Sequence, residues 1–142
     1  MLVHCLYASR AVKPLTSSIL DSILEQSSKN NPRLGITGLL CLTKNVFVQI
    51  IEGGRDEVNE LFMTIVRDDR HRDICLLVFE EISQRRFGNW TMGQVEIDNI
   101  NIALLLKHSE KAELNPFACS GRATMALLDD LVATGSIFSR GK

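Results

Sequence analysis

Two stretches of helical periodicity, each set between short β-rich apolar runs, constrain this chain more than any other feature. In the first, Ile19, Leu20, Ile23, Leu24 and Ser27 recur at spacings of three and four, leaving Asp21, Ser22, Glu25 and Gln26 to other faces. Pro14 and the Thr16-Ser17-Ser18 run offer its N-terminal caps. The helix should end near Lys29, because Pro32 pushes Asn31 toward an extended conformation and opposes a helix running through it. In the second, Val58, Leu61, Phe62, Ile65 and Val66 form an apolar stripe that should run to about Asp69. Residues 2–7, 35–42, 46–51, 74–82 and 91–97 read as strands, the second and third joined as a hairpin through Thr43-Lys44-Asn45. Phe47, Gln49 and Ile51 then share one strand face, and Glu52-Gly53-Gly54 breaks the strand for reasons of turn geometry.

The order β-α-β-β-α-β-β closes as an α+β, ferredoxin-like fold, a mixed five-stranded sheet with both helices on one face. Residues 1–97 form that domain. Residues 98–142 form a C-terminal helical extension, with short helices expected over 100–106 and 123–132 that cover the other sheet face or present a partner surface.

Composition excludes several classes. The 142 residues are 45% hydrophobic and 23% charged, enough for one domain with a real core. Sixteen basic against seventeen acidic side chains leave no basic excess for neutralising phosphates, so no nucleic-acid partner is expected. The longest apolar run, 74–79, is far below the roughly 20 residues that span a bilayer, and the N-terminus lacks a signal-type pattern. A cytoplasmic protein without membrane contact is the reading. Cys5, Cys41, Cys75 and Cys119 are widely spaced, most of them in apolar runs, and read as small buried hydrophobes. His4, His71 and His108 fall in no metal-binding pattern, and no nucleophile elbow, P-loop or dinucleotide fingerprint is present. Arg85-Arg86 reads as a solvated loop pair.

Polar residues set where a plain core would be apolar carry the functional signal. Tyr7 closes the first strand, and Gln49 interrupts an otherwise apolar one. A buried, unpaired amide costs roughly 1–3 kcal/mol, so Gln49 needs partners, either neighbouring backbone or something else. Asn30 and Asn31 precede proline as turn formers commonly do.

These residues occur together in LVHCLYASR, SSKNNPRLGITGLL, VFVQIIEG, VNELFMTIVRDDRH and RRFGNWTMGQVEI. In that order they resemble the BLUF domain, the flavin-binding blue-light sensor family, over about two thirds of the chain. The resemblance implies noncovalently bound FAD, with Tyr7 hydrogen-bonded to Gln49 and Gln49 to the flavin ring. It places Asn31 on the ring's polar edge with Asn30 beside it, and Phe47 on the strand face that carries Gln49. Ile23, Ser27, Ile65, Asp68 and His71 would sandwich the ring or hold its ribityl-phosphate side. Trp90 and Met92 would be the last-strand pair that exchange places near Gln49. Thr64 departs from the family where a basic or imidazole side chain is common, and Arg67 or Arg70 would have to replace it.

The implied function is a photoreceptor in which Tyr7 gives up an electron and then a proton by way of Gln49, leaving the amide rotated or tautomerised. No substrate is consumed, so the protein is not expected to be an enzyme. With so short an extension, output should pass to a downstream signalling protein, through a homo-oligomer or a specific contact. The same fold leaves two alternatives. An acylphosphatase-type hydrolase would need a glycine-rich loop after the first strand, where this chain has ASRAVKPL with Arg10 and no glycine. A cofactor-free interaction module would have no need for the Tyr7, Gln49 and Asn31 set.

Overall fold

A computed structural model describes residues 1–43, 45–97, 100–135 and 138–139. The chain runs β1 (Leu2–Ala11), α1 (Ser17–Leu34), β2 (Thr37–Leu42), β3 (Val46–Gly54), α2 (Arg55–Arg67), β4 (His71–Ile82), β5 (Gly93–Glu96), α3 (Ile102–His108), α4 (Gly121–Ala133) and β6 (Phe138–Ser139). The strands form one sheet in the order β4-β1-β3-β2-β5-β6. β1 is antiparallel to β3 and β4, and β2 to β3, whereas β2 and β5 are parallel. This is the ferredoxin-like α+β arrangement, with a five-stranded mixed sheet. A two-residue sixth strand, β6, pairs antiparallel with β5 and is not foreshadowed in the sequence.

Period-two alternation divides the core into two layers. Val3, Cys5 and Tyr7 of β1 and Phe47 and Ile51 of β3 pack with Leu20 and Leu24 of α1 and Val58 and Phe62 of α2. Leu6, Ala8, Val48 and Ile50 point the other way, onto Leu105 of α3 and Leu127, Leu128 and Leu131 of α4. The C-terminal helices therefore cover the second sheet face. Residues 98 and 99, where the extension was expected to begin, lie outside the described residues.

The structure corrects several local expectations. Helix α1 does not stop near Lys29 but runs through Pro32 to Leu34. Pro32 loses its own N–H bond and crowds the carbonyl four residues before it, a cost confined to the last turn of the helix. The turn beyond it is closed by Gly35 N–H to Pro32 O and Ile36 N–H to Asn31 O, with Gly35 at φ 69°. Strand β3 does not break at Glu52 but continues to Gly54, pairing Gly53 with Val3 and Gly54 with Leu2. Glu52 is fully buried, and its carboxylate accepts the backbone N–H groups of Arg86 (2.9 Å) and Phe87 (2.8 Å). Arg85 is no solvated loop residue: it donates to Thr37 Oγ1 (2.8 Å) and to the Gly35 carbonyl (2.7 Å), strapping the 83–92 connection to the start of β2. Arg86 reaches Asp129 of α4 at 2.9 Å. Val66, in the last turn of α2, is exposed and lies outside the buried stripe formed by Val58 and Phe62. Only Cys5 and Cys41 are buried. Cys75 and Cys119 are half-buried, Cys75 because β4 is an edge strand.

Among the described residues, no helix is long and apolar enough to cross a membrane.

Candidate functional site

On the α1/α2 side of the sheet the two helices stand apart, leaving a cleft of about 210 Å³. Its floor is Tyr7 of β1, Leu40 of β2 and Phe47 and Gln49 of β3. One wall is α1, through Ile23, Gln26, Ser27, Asn30 and Asn31. The other is α2 and its exit, through Leu61, Thr64, Ile65, Asp68, Arg70 and His71. Strand alternation puts Phe47 and Gln49 on this face, and the i, i+4 spacing of Ile23 and Ser27 puts both on the inner side of α1.

Tyr7 is 4% exposed and donates its hydroxyl proton to Gln49 Oε1. The Gln49 Nε2 group donates in turn to Met92 Sδ at 3.4 Å, so both ends of this 6%-exposed amide are engaged. Burial pushes the Tyr7 phenol well above its usual range, with like-charge repulsion from Cys5, once ionised, and from the Asp68 carboxylate adding to the effect. The phenol is therefore held neutral with its proton aimed at Gln49. Phe62 packs at a tilt with its ring centroid 5.6 Å away, and the His71 ring stands edge-on at 6.3 Å.

Asn31, 3% exposed, donates from Nδ2 to the Thr91 carbonyl at 2.7 Å, while the Gly38 N–H reaches the Trp90 carbonyl at 3.1 Å. Gly38 is required there, since a β-carbon would lie 2.0 Å from the Ile50 carbonyl oxygen. The 90–92 segment is thus bound to β2, α1 and β3 by one bond each, and it precedes β5 instead of forming part of it. Met92 is buried on the cleft side behind Gln49, whereas Trp90 packs into the opposite layer beneath the C-terminal helices. Asn30 is exposed at the cleft mouth and accepts from Arg33 at 3.4 Å.

His71 Nε2 faces the Ile65 carbonyl, which can only accept, so Nε2 carries a proton, and Nδ1 lies 2.8 Å from Ser9 Oγ. Asp68 caps α2. Arg70 donates from Nε to both its oxygens at 3.0 Å and reaches Gln26 Oε1 at 3.3 Å. These bonds hold the Asp68 carboxyl below its usual range and the Arg70 guanidinium above its own.

Every expected cofactor-site residue lines the cleft except Met92, which touches it through Gln49, and Trp90 stands apart. Sequence reasoning missed Gln26, Leu40 and Leu61 as cleft residues; helical periodicity leaves Gln26 off the apolar stripe without pointing to the cleft. Of the two arginines expected to compensate for Thr64, Arg70 lines the cleft and Arg67 is exposed outside it. Among the described residues there is no cluster of His, Cys, Asp or Glu able to hold a metal. Arg10, which a hydrolase would need at an oxyanion, instead pairs with Asp73 (3.5 Å) and lies 4.0 Å over the Phe117 ring. An apolar slot with amides at its base and rim suits a flat heteroaromatic ring with one polar edge.

Comparison with known proteins agrees with that chemistry. The profile of the BLUF family, sensors of blue-light using FAD, matches residues 2–93. The chain is 32% identical over 87 residues to photoactivated adenylate cyclase subunit beta of Euglena longa, covering 61% of this chain but about a tenth of that relative's length. Its fold superposes on BlsA in the photo-activated state with a TM-score of 0.81 at 29% identity, covering 93% of this chain and 95% of BlsA. On BlrB, a BLUF protein in its dark state, the TM-score is 0.76 at 34% identity, covering 94% and 96%.

Proposed function

The chain belongs to the BLUF family of blue-light sensors, and on that premise we propose that it binds FAD noncovalently between α1 and α2 and stores a light signal in the Tyr7–Gln49 hydrogen bond. When bound, the flavin supplies blue-light absorption and an excited state able to accept an electron. Tyr7 is the donor: its neutral phenol gives up an electron and passes its hydroxyl proton to Gln49. Return of both leaves the Gln49 amide rotated or tautomerised, so that its bonds to Tyr7 and Met92 are exchanged for a different pair. Asn31 and Gln49 orient the ring's polar edge, Ile23 and Ile65 close on its faces, and Arg70, fixed by Asp68, serves the phosphate side. The buried Tyr7–Gln49–Met92 chain is the observation that carries this reading.

Gln49 and Asn31 both hold the 91–92 segment, and Trp90 stands next to it under the C-terminal helices. A changed Gln49 bond therefore shifts the balance between two arrangements of one strap, and its reach is limited by the difference in contacts between them. The protein acts as a sensor rather than an enzyme. Its output passes to a downstream protein or through a homo-oligomer at the helical surface where Ile102 and Leu106 are exposed. The purified protein should be yellow, and blue light should move its visible band slightly to the red without bleaching. A colourless protein that takes up no added flavin ends this reading.

A further inference from the structure

Among the described residues Glu52 is the only buried acid, and strand alternation turns it away from the cleft, onto the face that carries Val48 and Ile50. Burying a carboxylate is costly unless hydrogen bonds satisfy it. Both Glu52 oxygens are taken by consecutive backbone N–H groups, those of Arg86 at 2.9 Å and Phe87 at 2.8 Å. These two peptides begin a relay. The Phe87 carbonyl accepts the Trp90 N–H at 3.4 Å, closing a turn, and the Trp90 carbonyl accepts the Gly38 N–H at 3.1 Å. The Thr91 carbonyl accepts from Asn31 Nδ2 at 2.7 Å, and the next residue is Met92, whose Sδ accepts from Gln49 Nε2 at 3.4 Å. Glu52 and Gln49 are separated by roughly 10 Å of strand and point to opposite faces. One strand therefore holds both ends of the 86–92 segment, through Glu52 on the α4 side and Gln49 on the cleft side.

We infer, on the basis of the photoreceptor function proposed here, that Glu52 is a positioning residue of the switch: by fixing the 86–87 peptides it sets how firmly Met92 is held against Gln49, and hence how long the light-induced state lasts. Turning over the Gln49 amide exchanges the ends that face Tyr7 and Met92, and a sulfur 3.4 Å from Nε2 must give way while it turns. Met92 is 3% exposed, so in a close-packed layer it yields only as far as its backbone does. That backbone is tied through the 87–90 turn to a carboxylate with no access to water as an alternative partner. Arg85 braces the same anchor, through Thr37 Oγ1 and the Gly35 carbonyl. Neither Glu52 nor Arg85 lines the cleft, so neither touches the ring it accommodates.

The test is E52Q in the full-length protein loaded with FAD, read as the rate at which the red-shifted band returns in darkness. Glutamine keeps the shape, but only its oxygen accepts, and its NH2 end opposes one of the two N–H groups. E52Q should still bind FAD and shift to the red, yet recover about three- to tenfold faster, the change in barrier that one weakened hydrogen bond gives. M92A should also recover faster, and E52Q should add nothing in the M92A background, because the contact through which it acts is gone. R85M, which leaves the Glu52 carboxylate bonds in place, should quicken recovery less. Wild-type recovery in E52Q, even with a lowered melting temperature, overturns the inference, as does an E52Q effect of full size in the M92A background. If E52Q does not fold, wild-type recovery in R85M overturns it. A wild-type protein without a red shift ends the photoreceptor reading itself, whereas a normal wild-type cycle beside unchanged variants ends only the role of Glu52.

Discussion

The two faces of the sheet are built from alternate residues of the same strands, yet they solve different problems. On the α4 side, Val48 and Ile50 are fully buried against Leu128 and Leu131, and the buried acid, Glu52, is locked onto two backbone N–H groups. On the α1/α2 side, Phe47 and Gln49 look into a cleft, and buried Tyr7 bonds the Gln49 side chain, which in turn bonds a methionine sulfur. Backbone donors cannot be reoriented, whereas a side-chain amide can turn over and exchange its donor and acceptor ends. The first face fixes the structure. The second keeps a rearrangeable network beside a space for a ring.

Substitutions at the network should separate the two faces most sharply. Tyr7→Phe and Gln49→Leu should abolish the light-induced red shift completely while flavin still binds, as read by difference absorption; a normal shift in both variants would break the contrast. Next in size is packing. Leu128→Ala should lower unfolding free energy by about 2–5 kcal/mol while leaving the red shift intact, because it opens a cavity in the close-packed layer. Leu61→Ala, at the cleft wall, should cost less than half as much in urea denaturation, and equal losses would mean that the cleft is as tightly packed as the other side. Asn31→Ala should weaken flavin affinity by about 1–2 kcal/mol, roughly tenfold, measured by titration of the apoprotein.

The smallest effect is pH-dependent. Arg70 lowers the Asp68 carboxyl below its ordinary 3.8 in the folded protein, so the stabilising contribution is full above that value and is lost as pH falls through the lower, folded-state value. The stability difference between wild type and Asp68→Asn should therefore be constant at neutral pH and shrink only in acid. A difference that grows on acidification would contradict the Asp68–Arg70 assignment.

Much of the site is legible because it breaks a pattern. Gln49 stands out against five apolar neighbours, and Asn30 and Asn31 fall in the last turns of α1, whereas Tyr7, expected to close its strand, lies within β1, which runs on to Ala11. At Glu52 the local signal points the wrong way. An acid next to two glycines reads as a turn, and its burial becomes intelligible only once residues 86–87, more than thirty positions later, fold over it. Gln26 lies off the apolar stripe and is exposed, as periodicity expects, yet it lines the cleft: helical periodicity marks the face that packs on the sheet, whereas the cleft lies along the flank between helices.

The order of the first five strands and of the helices between them, the assignment of odd and even residues of β3 to opposite faces, and the polar set that marks the cleft are legible from the residues alone. These follow from local periodicity and from the cost of burying an unpartnered polar group. Tertiary structure alone decided that α1 continues past Pro32, that Arg70 and not Arg67 reaches the cleft, and that Met92 lies behind Gln49 while Trp90 faces α4. Each of these depends on a partner far away in the chain, as Asn31 depends on the Thr91 carbonyl sixty residues on, and no local window contains the energy of a contact made at that distance.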